Sequence, residues 1–309
     1  MLSIVTPGQG SQTSGMYSTW ITDTANKELI AKYSELIDLD LFHYGTSASQ
    51  VEITATNIAQ PLLTALAFMS FGRLEVNSNT NIIYSGHSVG EFSAASLAGF
   101  YTDEIAMKLV NTRGKAMAAA AASNSATGMS AVLGGDKAEV IKHIEQFDLV
   151  PANVNSNGQI VASGLLANLE KLSENPPVST KVRKLEVAGA FHSQFMKSAE
   201  SELEKEFAQV EVTNSKSNFI SNKDGQTIKD SSDLKNRLIT QITSPVRWDL
   251  CQAKMIELGV TGMLELAPAG VLTGIAKREM PGVELFAIKS PEDIPGAQAF
   301  IDKHAKITR

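Results

Sequence analysis

Cysteine is nearly missing from this chain: Cys251 is the only one in 309 residues. A lone thiol excludes an internal disulfide and fits a reducing compartment. Histidine is scarce too, with five, and no His-x-x-x-His pair or cysteine cluster occurs to hold a metal. No metal and no cofactor is expected. No uninterrupted apolar run approaches the ~20 residues of a membrane span. Met1 to Pro7 carry no basic stretch and too short an apolar run for a signal peptide, so the expected location is the cytoplasm. An excess of positive charge is also absent. The net charge is −6, which argues against nucleic acid as the main partner. Apart from Ala118 to Ala122 there is no low-complexity segment and no internal repeat.

The chain does have enough apolar material for a large core, at 43% hydrophobic residues. Strand-like and helix-like segments alternate through most of it. Leu2 to Thr6 reads as a buried strand, Ala25 to Leu39 as a helix, and Asn57 to Phe71 as an apolar helix with Pro61 near its first turn. Thr102 is a candidate N-cap for a helix reaching about Ala122. After a break at Ser123 to Gly128 the order becomes strand (Met129 to Leu133), helix (from a capping box at Asp136 to Glu139), strand (Leu149 to Val154), turn (Asn155 to Gly158), strand (Gln159 to Ser163), helix (Leu166 to Asn175), strand (Lys181 to Val187). This β-α-β-β-α-β order is the ferredoxin-like pattern. It predicts a small domain over 126–188 inserted into a larger one formed by 1–125 and 189–309. Beyond it, strands at Asn218 to Asn222, Gly262 to Leu266 and Glu284 to Ile288 alternate with helices, the last running from Gly296 to Lys306. Such alternation predicts an α/β fold with a mostly parallel sheet covered on both faces.

The chemistry gathers at Ile82-Ile83-Tyr84-Ser85-Gly86-His87-Ser88-Val89-Gly90-Glu91. Strand-forming residues run into Gly-x-Ser-x-Gly, and helix-forming residues follow. A serine on a sharp strand-to-helix turn needs glycine on both sides, because side chains there would collide. The turn lifts the Ser88 hydroxyl over a helix N-terminus, where free N–H groups favour developing negative charge. The Val89 N–H is then one oxyanion donor. An ordinary βα turn is the plain alternative; the coincidence of strand, pentapeptide and helix favours the nucleophile elbow.

Other candidates need that context. Pro7-Gly8-Gln9-Gly10-Ser11-Gln12 begins like a dinucleotide-binding loop, but Thr13 stands where the third glycine belongs. Gln9 could lend a second oxyanion N–H, and a plain turn fits those residues as well. Arg113 falls on the apolar stripe of its helix with Leu109 and Met117, so its charge must find an anion. One of the 33 acids could serve as a structural partner. His43, His143 and His304 sit in polar surroundings and are expected to be exposed. His87 adjoins Ser88. His192 lies where the small domain rejoins the large one, and with an elbow serine upstream it is the leading general base.

Together these motifs resemble the malonyl-CoA:acyl carrier protein transacylase family over nearly the whole chain. They comprise Pro7 to Gln12, Gly86 to Glu91, Arg113-Gly114, Gly128-Met129, Asn153, Asn155 and Gln159 leading to Ser163-Gly164, Phe191 to Ser193, and Gln241 to Trp248. One departure is visible: Ala267 and Ala269 stand where the family has glycines. The resemblance implies an α/β-hydrolase-like large subdomain with a ferredoxin-like insert. It implies ping-pong transfer from malonyl-CoA to the phosphopantetheine thiol of acyl carrier protein, through an acyl-Ser88 formed with His192 as base. It implies oxyanion donors at Gln9 and Val89 and a main-chain carbonyl at Gln241 that orients the histidine. It implies that Arg113 holds the malonyl carboxylate, with His87, Phe191, Met117 and Asn155 around the substrate. A monomer is the default expectation. Lys108, Lys115, Lys181, Arg183 and Lys184 are candidates for docking an acidic carrier.

Overall fold

A computed structural model describes residues 1–76, 81–124 and 126–305. Ten strands occur among them: β1 (Leu2–Thr6), β2 (Ile82–Gly86), β3 (Thr127–Gly134), β4 (Val150–Ser156), β5 (Gln159–Leu165), β6 (Thr180–Lys184), β7 (Asn218–Ile220), β8 (Thr227–Ile228), β9 (Gly262–Glu265) and β10 (Glu284–Ala287). They form two sheets. The larger has the order β10-β9-β1-β2-β7-β8, parallel throughout except for β8 at its edge. The smaller is antiparallel with the order β4-β5-β3-β6. Its helices follow β3 and β5, which completes the β-α-β-β-α-β pattern expected from the sequence.

Alternation along the central strands explains the layering. Leu2 and Ile4 on β1, with Ile82 and Tyr84 on β2, pack into the largest hydrophobic cluster; Val5 and Ile83 point the other way, onto Trp248, Cys251, Met255 and Met263. A strand reverses its facing with every residue, so a sheet buried on both sides needs apolar residues at consecutive positions. The small sheet has a core of its own around Val132, Ile144, Leu149, Ile160 and Leu172. It is tied to the rest of the chain by backbone pairing: the Val154 N–H donates to Val246 O and the Val246 N–H to Ala152 O.

Several boundaries differ from expectation. Pro61 lies inside the helix Thr56–Phe71 rather than in its first turn. That helix is buried on nearly all sides, so packing holds it despite the lost N–H. Asn155 and Ser156 belong to β4, and the turn is only Asn157-Gly158, because pairing with β5 continues to Ser156↔Gln159. β6 stops at Lys184, leaving Leu185 and Val187 free to face a cleft. At Asp136 only half of the capping box forms: its side chain accepts from Ala138 and Glu139. Two short helices, Leu41–Thr46 and Gln50–Thr54, and the strand β8 were not anticipated, being too short to show a period. The last helix spans Ile294–His304, and its expected end at Lys306 lies outside the described residues. His304 is buried rather than exposed, its ring tilted against Phe300 with the ring centres 4.4 Å apart. Ala267 and Ala269 are not among the residues with positive φ, so alanine meets no left-handed backbone there.

Candidate active site

The carboxyl ends of the parallel strands all point to one place, the usual site of chemistry in such sheets. From β1 comes the loop with Gln9, from β2 the elbow with Ser88, and from beyond β7 comes Asn222. The elbow is as tight as its glycines imply. A Cβ on Gly86 would lie 2.1 Å from the Gly90 carbonyl carbon, and one on Gly90 would lie 2.3 Å from Thr6 O. Ser88 itself takes φ +52°, a left-handed backbone uncommon for a residue with a side chain. Asn222 holds this geometry from the segment that follows β7. Its Oδ1 accepts from the Ser88 N–H at 2.8 Å and its Nδ2 donates to Gly86 O at 2.7 Å.

Ser88 Oγ lies 2.7 Å from His192 Nε2, and His192 Nδ1 lies 2.8 Å from the main-chain oxygen of Gln241. The carbonyl can only accept, so Nδ1 carries the proton and Nε2 is left as the base toward the serine. His192 is 3% exposed. Burial, and secondarily the Arg113 charge, push its pKa down to about 3. The imidazole is therefore neutral, the form a base requires.

Arg113 is the most buried cation of the site, at 1% exposed. Its Nη1 donates to Gln60 Oε1 at 2.7 Å; its Nη2 donates to Gln241 Oε1 at 2.8 Å and to Ser88 Oγ at 3.3 Å. Phe92 lies beneath it, 5.4 Å from ring centre to guanidinium carbon. Among the described residues no carboxylate pairs with it, and its Nε has no partner. The structural ion pair that the sequence left open is absent there. Burial lowers the Arg113 pKa to about 9, partly offset by the more distant Glu91, which leaves a cation at neutral pH. A buried cation held only by neutral oxygens attracts an anion.

The other candidates surround the same cleft, about 320 Å³ in volume, which Gln9, His87, Ser88, Arg113, Met117, Asn155, Phe191 and His192 all line. Met129 and Val161 of the small sheet and Ile275 of the helix Val271–Glu279 add apolar wall. Asn155 is committed to His87, its Oδ1 lying 2.8 Å from Nε2. Burial lowers the His87 pKa, and its ring stands edge-on to Trp248. The backbone N–H groups of Gln9 and Val89 make no hydrogen bond among the described residues, which leaves both free for a ligand oxygen. Cys251 is buried outside the cleft with its thiol pKa pushed up by desolvation.

Three contributors escaped sequence reasoning. Gln60 and Asn222 carry no local signal, since only the packed fold brings them to Arg113 and Ser88. Glu91 was visible as the residue after the elbow, but its role was not. It is 1% exposed, accepting from the Asn222 N–H at 2.7 Å and from Gln241 Nε2. Burial raises its pKa to about 7, opposed by those hydrogen bonds and by Arg113. No group of three or more metal-ligating side chains occurs among the described residues, and no helix there is long and apolar enough to cross a membrane.

The chain is similar to known proteins along most of its length. The acyl transferase domain family matches residues 4–288. The malonyl CoA-acyl carrier protein transacylase of Mycobacterium tuberculosis is 47% identical over 297 residues, 95% of this chain and 98% of that one. The enzyme of the same name from Bacillus subtilis is 32% identical, covering 95% of each. The crystal structure of MCAT from M. tuberculosis superposes with a TM-score of 0.92 at 45% identity, covering 96% of this chain and 99% of that one. The chain belongs to the acyl transferase domain family and, within it, to the malonyl CoA-acyl carrier protein transacylases.

Proposed function

We propose that this protein moves a malonyl group from malonyl-CoA to the phosphopantetheine thiol of acyl carrier protein, by a ping-pong route through malonyl-Ser88, in fatty acid or polyketide synthesis. The observation that carries this reading is Arg113: a buried guanidinium, unpaired with any acid among the described residues, 3.3 Å from the candidate nucleophile. A thioester whose acyl group ends in a carboxylate would place that carboxylate on Arg113 and its carbonyl carbon at Ser88.

The geometry supports the following steps. Ser88 attacks the thioester carbonyl as its proton passes to His192 Nε2. The carbonyl oxygen takes up the electron pair and charge, and the free N–H groups of Gln9 and Val89 receive it. The imidazolium keeps its Nδ1–H on Gln241 O. The carbonyl reforms, the C–S bond breaks, and His192 returns the proton to the departing coenzyme A sulfur. A carrier thiol then gives its proton to His192 and attacks malonyl-Ser88, regenerating the serine. His87, Phe191, Met117 and Asn155 shape the acyl end of the cleft. The segment 126–188 acts as a subdomain of its own that supplies one wall. Lys181, Arg183 and Lys184 are exposed on β6, just before the cleft residues Leu185 and Val187, and suit an acidic carrier.

The test is intact-mass measurement after mixing with malonyl-CoA, with peptide mapping, then addition of carrier protein. A malonyl adduct on Ser88 that chases onto the carrier thiol is expected. An adduct elsewhere, or free malonate released as fast as transfer, would overturn the reading.

A further inference from the structure

We infer that Glu91 is a positioning residue for the acyl-binding cation: its carboxylate orients the Gln241 side-chain amide, and that amide fixes the Arg113 guanidinium. The inference rests on the proposed assignment of Arg113 to the acyl carboxylate.

A primary amide has two different ends, and only one can face each neighbour. Gln241 Nε2 donates to Glu91 Oε2 and, at 2.9 Å, to Ser88 O. Its Oε1 is thereby turned to Arg113 Nη2, 2.8 Å away. An ionised carboxylate offers only acceptors, so the amide must give Glu91 its NH₂ end. The reversed amide would set donor against donor at the guanidinium and oxygen against oxygen at Glu91. In a buried site either conflict is expensive. The second carboxylate oxygen is held by the Asn222 N–H, and Glu91 stands in the first turn of the helix Gly90–Leu97, where the helix end favours an anion.

The spacing matters as much as the orientation. A carboxylate in direct contact with Arg113 would neutralise the cation and compete with a substrate anion for the same N–H groups. With an amide between them, Glu91 fixes the fork without occupying it. Gln60 completes the arrangement on Nη1 with another neutral oxygen.

The experiment compares kcat/KM for malonyl-CoA and acetyl-CoA at pH 8, where Glu91 is ionised, with a melting curve for each variant. Four variants are needed: Glu91→Gln, Gln241→Met (which keeps the main-chain carbonyl on His192), the double variant, and Arg113→Ala as control. Glu91→Gln is expected to lower the malonyl-to-acetyl ratio by about tenfold or more, the effect of spoiling one buried charge-assisted hydrogen bond. Gln241→Met should do the same, and the double variant should lose no more than Gln241→Met alone, because both act through one chain of contacts. An unchanged ratio in Glu91→Gln, an equal loss for both thioesters, or additive losses in the double variant would overturn the inference. Should Glu91→Gln not fold, Gln241→Met decides: an unchanged ratio there overturns it as well. If Arg113→Ala itself leaves the ratio intact, the assignment of Arg113 fails instead.

Discussion

Ser88 and His192 meet at 2.7 Å, and both hold left-handed backbone, at φ +52° and +57°. Two such residues facing each other mark a place where the surrounding fold imposes the conformation. Asn222 pins the serine turn, and Gln241 O receives the histidine Nδ1–H. Ser88→Ala should fold with a melting temperature near that of the parent and form no malonyl adduct by intact mass. His192→Ala should slow transfer by about 10³-fold or more, since serine without a base is a weak nucleophile. Near-normal turnover in either variant would remove that residue from the mechanism.

Arg113→Ala should act on one substrate only. Deleting one member of a buried charge pair typically costs about 2–5 kcal/mol. That corresponds to roughly thirty- to several-thousand-fold in kcat/KM for malonyl-CoA. Acetyl-CoA has no carboxylate to lose, so its kcat/KM should hold or rise. Steady-state kinetics with both thioesters checks this, and an unchanged ratio refutes it.

The His192 imidazole should stay neutral well below the ordinary histidine range. Burial lowers its pKa to about 3 and the neighbouring guanidinium contributes, so Arg113→Ala should move it upward. The unfolded chain takes up this proton near pH 6.5 and the folded one near 3, so the unfolded state binds more protons between those values. This residue therefore withdraws stability as pH falls through that window, and stability rises with pH across it. Side-chain NMR of labelled histidine gives the check: His192 neutral at pH 5 in the parent, with an upward shift in the variant. A titration midpoint near 6.5 in the parent would contradict it.

Gly86→Ala should be among the most damaging single-methyl additions. The new Cβ would meet the backbone of Gly90 at 2.1 Å and Thr6 Oγ1 at 2.4 Å, and backbone cannot step aside cheaply. Overpacking usually costs about 1–3 kcal/mol, and a backbone clash belongs at or above the top of that range. Thermal melts and soluble yield report it. A variant as stable as the parent would show that the turn is looser than described.

Cys251→Ser should leave turnover within about threefold of the parent. The thiol is buried, its pKa is pushed up by desolvation, and its contacts are Ser221 O and the Asn222 side chain, outside the reacting groups. A loss of transfer at unchanged melting temperature would give the thiol a part in the chemistry.

Local pattern was enough for much of this protein. Gly86, Ser88 and Gly90 declare a strained turn because their spacing meets a steric need of a few consecutive residues. The β-α-β-β-α-β order over the small sheet follows from periodicity, as does the place of Arg113 on a buried helix face. What Arg113 pairs with could not be read that way. Thirty-three acids were available to it in the sequence, and packing brought none of the described ones into contact, setting Gln60, Gln241 and Ser88 around it instead. Asn222, 134 positions from the serine it steadies, and Glu91, 150 from the amide it turns, became neighbours only when β7 docked on β2 and Gln241 closed over the elbow. Which residue types can do the chemistry is a property of the side chains and short-range sterics. Which of them meet, and whether a charge meets an acid or an amide, depends on long-range packing that no local pattern records.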